Sequence, residues 1–257
     1  MEKDVFEIYN TGQWNDSRQP LGAYLSSAKN EMNKFVPEVK IAIFNEHRTA
    51  FYFWAKAMHN RYAPVPDLIT IDLHTDTNDP DHIELLRDID LNSSYEVSQI
   101  IYDHNVMTTR NDQQILSAQY LNLIRNAYIL HSQSWHRDFI YKDVEGKDHK
   151  LLHFTEIVDF INAISQQHVI RSFLDIDCDY FTNNEDKCKE KRTINESKFD
   201  IFNSDLMNII SKDLELITIA LEPDHCGGFS KCFKIFNKLQ SKLFDGELFH
   251  ENCRLKI

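Results

Sequence analysis

Four short segments of this chain end in side chains able to hold a cation. Asn45-Glu46-His47 follows one apolar run, and Asp72-Leu73-His74-Thr75-Asp76 closes a second. Asp175-Ile176-Asp177-Cys178-Asp179 closes a third, and Glu222-Pro223-Asp224-His225 follows a fourth. Carboxylates gathered in one place repel one another, and a buried charge is costly unless it is paired or bound to a cation. A divalent ion, or two, resolves both problems. Along an extended segment alternate residues face the same way, so Asp72, His74 and Asp76 are expected to share a face. Asp175 and Asp177 repeat that spacing. Carboxylates with a minority of imidazoles suit a hard or borderline ion such as Mn²⁺. A structural zinc site would normally draw on thiolates, and no CxxC pair is present. His47, Asp72, His74, Asp76, Asp175 and Asp177 together exceed one ion's usual protein ligands. Two ions bridged by carboxylates would use them all.

The elements that must position these groups are legible from apolar spacing. Val39–Phe44, Leu68–His74, Ser172–Asp177 and Leu216–Leu221 are short, continuous apolar runs. Such runs suit strands covered on both faces, as in a parallel sheet. Between them, Thr49–His59, Asn111–Leu130, Thr155–Gln166, Ser204–Lys212 and Phe229–Phe244 carry helical spacing, with Thr155 as an N-cap. Strands alternating with helices predict an α/β fold with three α/β/α layers and a mainly parallel central sheet. In such sheets ligands bind beyond the carboxyl ends of the strands, where the acidic segments fall. Phe139–Asp143 and His149–Phe154, around Gly146, predict a hairpin, and Thr182–Lys198 a surface loop. Phe51, Tyr52, Phe53 and Trp54 are expected to pack in the core. Asn111-Asp112-Gln113-Gln114 either starts a helix or lines a pocket. With no repeat and no linker-like composition, residues 1–257 read as a single domain.

Composition narrows the partners. Lys+Arg is 28 and Asp+Glu is 40 over 257 residues, a net charge of −12. An acidic surface repels phosphate backbones and disfavours nucleic acid. No apolar stretch is long enough to span a membrane, and the opening MEKDVFEIYN lacks the pattern of a signal peptide. The expectation is a cytoplasmic protein whose five cysteines stay reduced.

At this level the motifs resemble the arginase–deacetylase superfamily. Asp72-Leu73-His74-Thr75-Asp76 is similar to its Asp-x-His-x-Asp motif, and Ser172-Phe173-Leu174-Asp175-Ile176-Asp177 to its second Asp-x-Asp motif. His47 stands where these enzymes place a first histidine ligand. Glu222 resembles the glutamate that grips the guanidinium in ureohydrolases. The strings Asn45-Glu46-His47-Arg48 and Glu222-Pro223-Asp224-His225-Cys226-Gly227-Gly228 look most like the atypical peptide arginases, which turn arginine side chains of ribosomally made peptides into ornithine.

The resemblance implies an arginase-like fold and two Mn²⁺ per subunit. One ion would take His47, Asp72, Asp76 and Asp175. The other would take His74, Asp72, Asp175 and Asp177, so that Asp72 and Asp175 bridge. It further implies a hydroxide between the ions that attacks the guanidinium carbon, Glu222 as the orienting group, Asp177 as a proton relay, and urea as a product. The partner implied is an arginine-containing precursor peptide, and a homo-oligomer is compatible with the same reading.

Several positions depart from the pattern. Phe44-Asn45-Glu46-His47 replaces the usual Gly-Gly-Asp-His, and Cys178-Asp179-Tyr180-Phe181 stands where Asp-Pro is usual. Ile89 occupies the place of the proton-shuttling histidine, leaving His82 or His104 as substitutes. Asn78 has the spacing of a residue that contacts a free substrate's α-carboxylate, but the serine-rich segment that follows it is missing. That loss fits a substrate whose α-groups lie in peptide bonds. Two alternatives stay open: a deacetylase-like amide hydrolase of the same fold, and a non-catalytic metal-binding module.

Overall fold

The computed structural model describes Pro20 and residues 22–34, 36–58, 64–102, 107, 111–133, 137–166, 171–183, 192–250 and 252–256. Ten strands form one sheet: β1 (Tyr24–Lys29), β2 (Glu38–Phe44), β3 (Asp67–Ile71), β4 (Ala127–Leu130), β5 (Phe139–Lys142), β6 (Asp148–Phe154), β7 (Ser172–Asp177), β8 (Leu214–Ala220), β9 (Phe244–Asp245) and β10 (Arg254–Leu255). Their order is β5-β6-β4-β3-β7-β8-β2-β1-β10-β9. Every pair from β6 through β2 is parallel. β5 and β1 flank this core antiparallel to it. The continuous apolar runs have the cause expected of them, since β3, β4, β7 and β8 are buried on both faces.

Helices cover the two faces. α1 (Ala50–Met58), α3 (Ser94–Tyr102) and α4 (Gln114–Tyr120) pack with Ala42, Phe44, Leu68, Phe173 and Leu216 on one side. α5 (Ile157–Gln166), α6 (Ser204–Ile210) and α8 (Phe229–Leu243) pack with Ile41, Ile69, Leu174, Ile176 and Ile217 on the other. The result is the three-layer α/β/α arrangement. The short α2 (Ile83–Arg87) and α7 (Pro223–Cys226) lie in the connections after β3 and β8. Phe51, Tyr52, Phe53 and Trp54 are buried in the first core, as expected.

Two elements differ from expectation. The segment Asn111–Leu130 is not one helix. α4 ends in a Schellman turn, with Asn122 at φ 55° and the Leu123 N–H donating to the Ala118 carbonyl at 2.8 Å. The chain then re-enters the sheet as β4, whose Ala-Tyr-Ile-Leu is apolar on both faces and so mimics helical spacing. β1 carries no apolar run because Ser26 and Ser27 stand at its middle. The hairpin is present as β5 and β6.

The chain runs from β3 to β4 on one side and from β7 to β8 on the other. The carboxyl ends of β3 and β7 are therefore a topological switch point, where such sheets form crevices. At the opposite end, Arg171 forks onto Glu215, with Nε–Oε1 and Nη2–Oε2 both at 2.7 Å and both residues buried. Removing one partner leaves the other charge buried without compensation. Glu215→Ala should therefore lower unfolding free energy by about 3–5 kcal/mol in urea titrations while leaving cation binding at the far end unchanged. Loss of cation affinity in step with stability would contradict this separation.

Candidate metal centre

The site begins inside the sheet. Thr70, Asp175 and Thr218 occupy one register row across β3, β7 and β8. The Thr70 hydroxyl donates to Asp175 Oδ2 at 2.8 Å and the Thr218 hydroxyl to Oδ1 at 2.6 Å. His47 Nε2 is 2.7 Å from the same Oδ2. An imidazole whose one nitrogen is held by a carboxylate presents the other in a fixed direction, which is the usual support of a metal-binding histidine. Here the other nitrogen, Nδ1, faces Asp76 Oδ2 at 2.8 Å, Asp72 Oδ2 at 3.2 Å and Asp177 Oδ2 at 3.4 Å.

The two central strands end in the same local turn. Asp72 accepts the His74 N–H at 2.8 Å, and Asp177 accepts the Asp179 N–H at 2.9 Å. An Asx turn of this kind uses one carboxylate oxygen and aims the other elsewhere. β3 stops at Ile71, so His74 and Asp76 do not share a face by strand alternation. Asp76 sits at φ 49°, and Gln114 Nε2 donates to its Oδ2 at 2.6 Å. β2 and β8 keep pairing past the sheet, with the Leu221 N–H on the Phe44 carbonyl and the Glu222 N–H on the Asn45 carbonyl. This brings Glu222 beside His47. Its Oε1 accepts the His47 N–H at 2.6 Å and the Asn111 side-chain amide at 2.9 Å.

Three ligand groups result, the atoms of each lying within 4.8 Å of one another: His47–Asp72–Asp76, Asp72–Asp177–Asp179 and His74–Asp179–His225. These histidine and aspartate groups, all buried except for His74 and His225, can hold a metal ion. His47 Nδ1 and Asp72 Oδ2, 3.2 Å apart, and Asp179 Oδ2 are buried and make no hydrogen bond, a state that a cation would relieve. Above them lies a cleft of about 230 Å³ lined by His74, Thr75, Asp76, Asn78, Asn111, Asp112, Gln133, Asp177, Glu222 and His225.

The electrostatics of the bare chain agree. Burial, with the Asp72 charge added, pushes Asp76 up to about 8. Burial also lifts Glu222 to about 7 and Asp179 to about 6, and carries Asp177 well above the usual carboxylate range. Asp72 moves the other way, because against the cost of burial the neighbouring His47 and His74 imidazoles favour its charged form. Both imidazoles rise despite burial, His47 through Asp175 and His74 to about 9 through Asp72 and Asp179. Without a cation, the cluster compensates its own repulsion with protons.

Relative to the sequence expectations, His47, Asp72, His74, Asp76 and Asp177 are brought together, with Glu222 at the cleft. Asp175 is not among the facing groups. Both its oxygens are taken by Thr70, Thr218 and His47, which makes it the support of a ligand, one step behind the place expected for a bridge. Asp179 takes the forward place, because a 3-10 turn over Cys178–Phe181 swings it under the cluster. His225, in the fourth of the cation-holding segments but outside the expected ligand set, also joins the site. His82 is exposed beside Glu84 and does not line the cleft. His104 lies outside the described residues. Asn78 lines the cleft with its side-chain amide turned onto Asp112 at 2.8 Å, and Asn111 and Asp112 line it too. The four described cysteines are free and buried. No family model matches this chain, and no curated protein matches it.

Two outcomes follow from this arrangement. Asp175→Asn should weaken divalent-cation affinity by about 10- to 100-fold in calorimetry, since it disturbs only the support of His47; unchanged affinity would mean that His47 is aimed by something else. The metal-free protein should also lose stability as pH rises from about 5 to about 8. Over that window the folded state retains protons on Asp76 and Glu222 that the unfolded chain releases, and His74 loses its stabilising charge as pH climbs toward about 9. Melting temperature measured against pH should fall, and a divalent cation added at the alkaline end should restore it; a rise would contradict the proton accounting.

Proposed function

We propose that this chain is a Mn²⁺-dependent peptide arginase of the arginase–deacetylase type, converting arginine side chains of a peptide to ornithine and urea. The observation that carries the reading is Glu222. It is a buried carboxylate held at φ 43°, a left-handed conformation unfavourable for a side-chain-bearing residue. The His47 N–H and the Asn111 amide fix Oε1. Oε2, 3.8 Å from His225 Nδ1, is the oxygen the frame does not use, and Glu222 lines the cleft directly beside the cation ligands. A carboxylate in that place suits a planar cation, which it would orient by charge-assisted hydrogen bonds.

Two Mn²⁺ ions, when bound, would supply charge compensation and a water acidified toward neutrality. The chain's own residues do the rest. Glu222 Oε2 accepts from the guanidinium and sets its central carbon over the cluster. Asp76 and Asp177 are the cluster carboxyls that also line the cleft, and Asp177 would carry the proton to the leaving amine. Among the described residues lining the cleft there is no Lys or Arg. The serine-rich segment that would follow Asn78 and contact a free substrate's α-carboxylate is missing, which fits an arginine within a peptide. The acidic chain, at −12, favours a basic peptide over nucleic acid.

The test is incubation with Mn²⁺ and an arginine-containing peptide, reading urea and the mass shift of ornithine formation, with free arginine and an acetylated-lysine peptide alongside. Urea from the peptide is expected. Acetate without urea would replace the reading with an amide hydrolase, and cation binding with no product from any of the three would leave only a binding module. Glu222→Gln should lower kcat/KM about 10- to 100-fold, the worth of a hydrogen bond to a charged group, with metal content retained. Asp177→Ala should abolish urea release.

A further inference from the structure

The outer ligand group is chemically unlike the inner one. His47, Asp72 and Asp76 offer one nitrogen and two carboxylates, and are 1%, 1% and 7% exposed. His74, Asp179 and His225 offer two nitrogens and one carboxylate. Both outer imidazoles line the cleft, with side chains 37% and 29% exposed. Asp179 joins this group to the core. It is completely buried; its Oδ1 is 3.4 Å from the Leu73 N–H, and its Oδ2 makes no hydrogen bond. That oxygen faces His74 Nδ1 at 3.3 Å and His225 Nδ1 at 3.9 Å. A buried carboxylate oxygen left unsatisfied is costly, and two imidazoles aimed at it from the cleft side mark a cation position. Arg192 Nη1 lies 3.8 Å away but donates to the His225 carbonyl at 2.7 Å, bracing the turn that carries this histidine.

The turn itself links the two roles. Glu222 immediately precedes the short helix Pro223–Cys226 that carries His225; the His225 N–H donates to the Glu222 carbonyl at 2.9 Å, and Glu222 Oε2 lies 3.8 Å from His225 Nδ1. A single turn therefore presents the cleft carboxylate and the outer imidazole together.

We propose that His225 is a third protein ligand of the outer of two cation positions, with His74 and Asp179, and that this position is nitrogen-rich and open to solvent, so that it holds Mn²⁺ less tightly than the inner one and takes a later transition ion more readily. The proposal rests on the two-ion reading above and deepens it. Imidazoles favour Co²⁺, Ni²⁺ and Zn²⁺ over Mn²⁺, whereas carboxylate-rich groups suit Mn²⁺. The inner position thus holds a hard ion away from solvent, and the outer ion exchanges through the cleft.

The experiment is a Co²⁺ titration of the metal-stripped full chain, followed by visible absorption and by metal content after dialysis. Wild type should bind two equivalents, the weaker one with the spectrum of a nitrogen-rich site. His225→Ala should keep the tighter equivalent, weaken the second by about 10- to 100-fold and change its spectrum. Asp224→Ala, an exposed neighbour on the same turn, should alter neither. Should His225→Ala not fold by circular dichroism, His225→Gln reports the same loss. Two equivalents with wild-type affinities and spectrum in the folded variant would overturn the proposal, as would a single equivalent in wild type. Two ions bound with no urea from any peptide would instead sink the peptide-arginase reading and leave His225 as a ligand.

Discussion

A buried polar row through the middle of an apolar sheet is the constraint on which the site depends. Thr70, Asp175 and Thr218 lie side by side on three neighbouring parallel strands, fully shielded from water. In such surroundings a carboxylate must have its hydrogen bonds supplied by the protein. Two come from the flanking threonines and a third from His47. The row therefore turns the cost of a buried acid into directional control over one imidazole. It also ties the middle of α1 to the sheet, since Trp54 Nε1 approaches Thr218 Oγ1 at 3.4 Å.

From that fixed imidazole the cluster grows by repetition. Asp72 and Asp177 close their strands with matching turns, each using one oxygen locally and leaving the other for the centre. Asp76, Asn111 and Glu222 adopt left-handed backbone conformations around the cleft. Such conformations are unfavourable for residues other than glycine and persist where the surrounding structure over-determines them, which is common at functional sites. Here hydrogen bonds from Gln114, His47 and Asn111 do the holding. The carboxylates assembled this way cannot all ionise in the bare chain, and a cation is the natural counter-charge.

The cleft above this cluster is rich in acids on its walls and carries the imidazoles of His74 and His225 but no Lys or Arg among the described residues that line it. Its polarity thus selects for cationic groups before any particular contact is made. Glu222 and His225 enter it from one short turn, so a movement of that turn would shift the cleft carboxylate and the outer imidazole together.

The sequence by itself determined the layers and the location of the site. Continuous β-branched runs mark strands buried on both faces, and each is followed at its carboxyl end by acids and imidazoles, which the parallel order must bring to one rim. Tertiary structure decided which acids face the centre. Strand alternation correctly places Asp175 and Asp177 on one side, but only the register of β3 and β8 supplies the threonines that occupy Asp175. The forward position of Asp179 depends on a 3-10 turn that alternation does not foresee, and the arrival of His225 depends on β2 and β8 pairing beyond the sheet. Spacing reports which residues can share a direction along one element. Which of them share a point in space is set by contacts between elements, and those are made only when the sheet assembles.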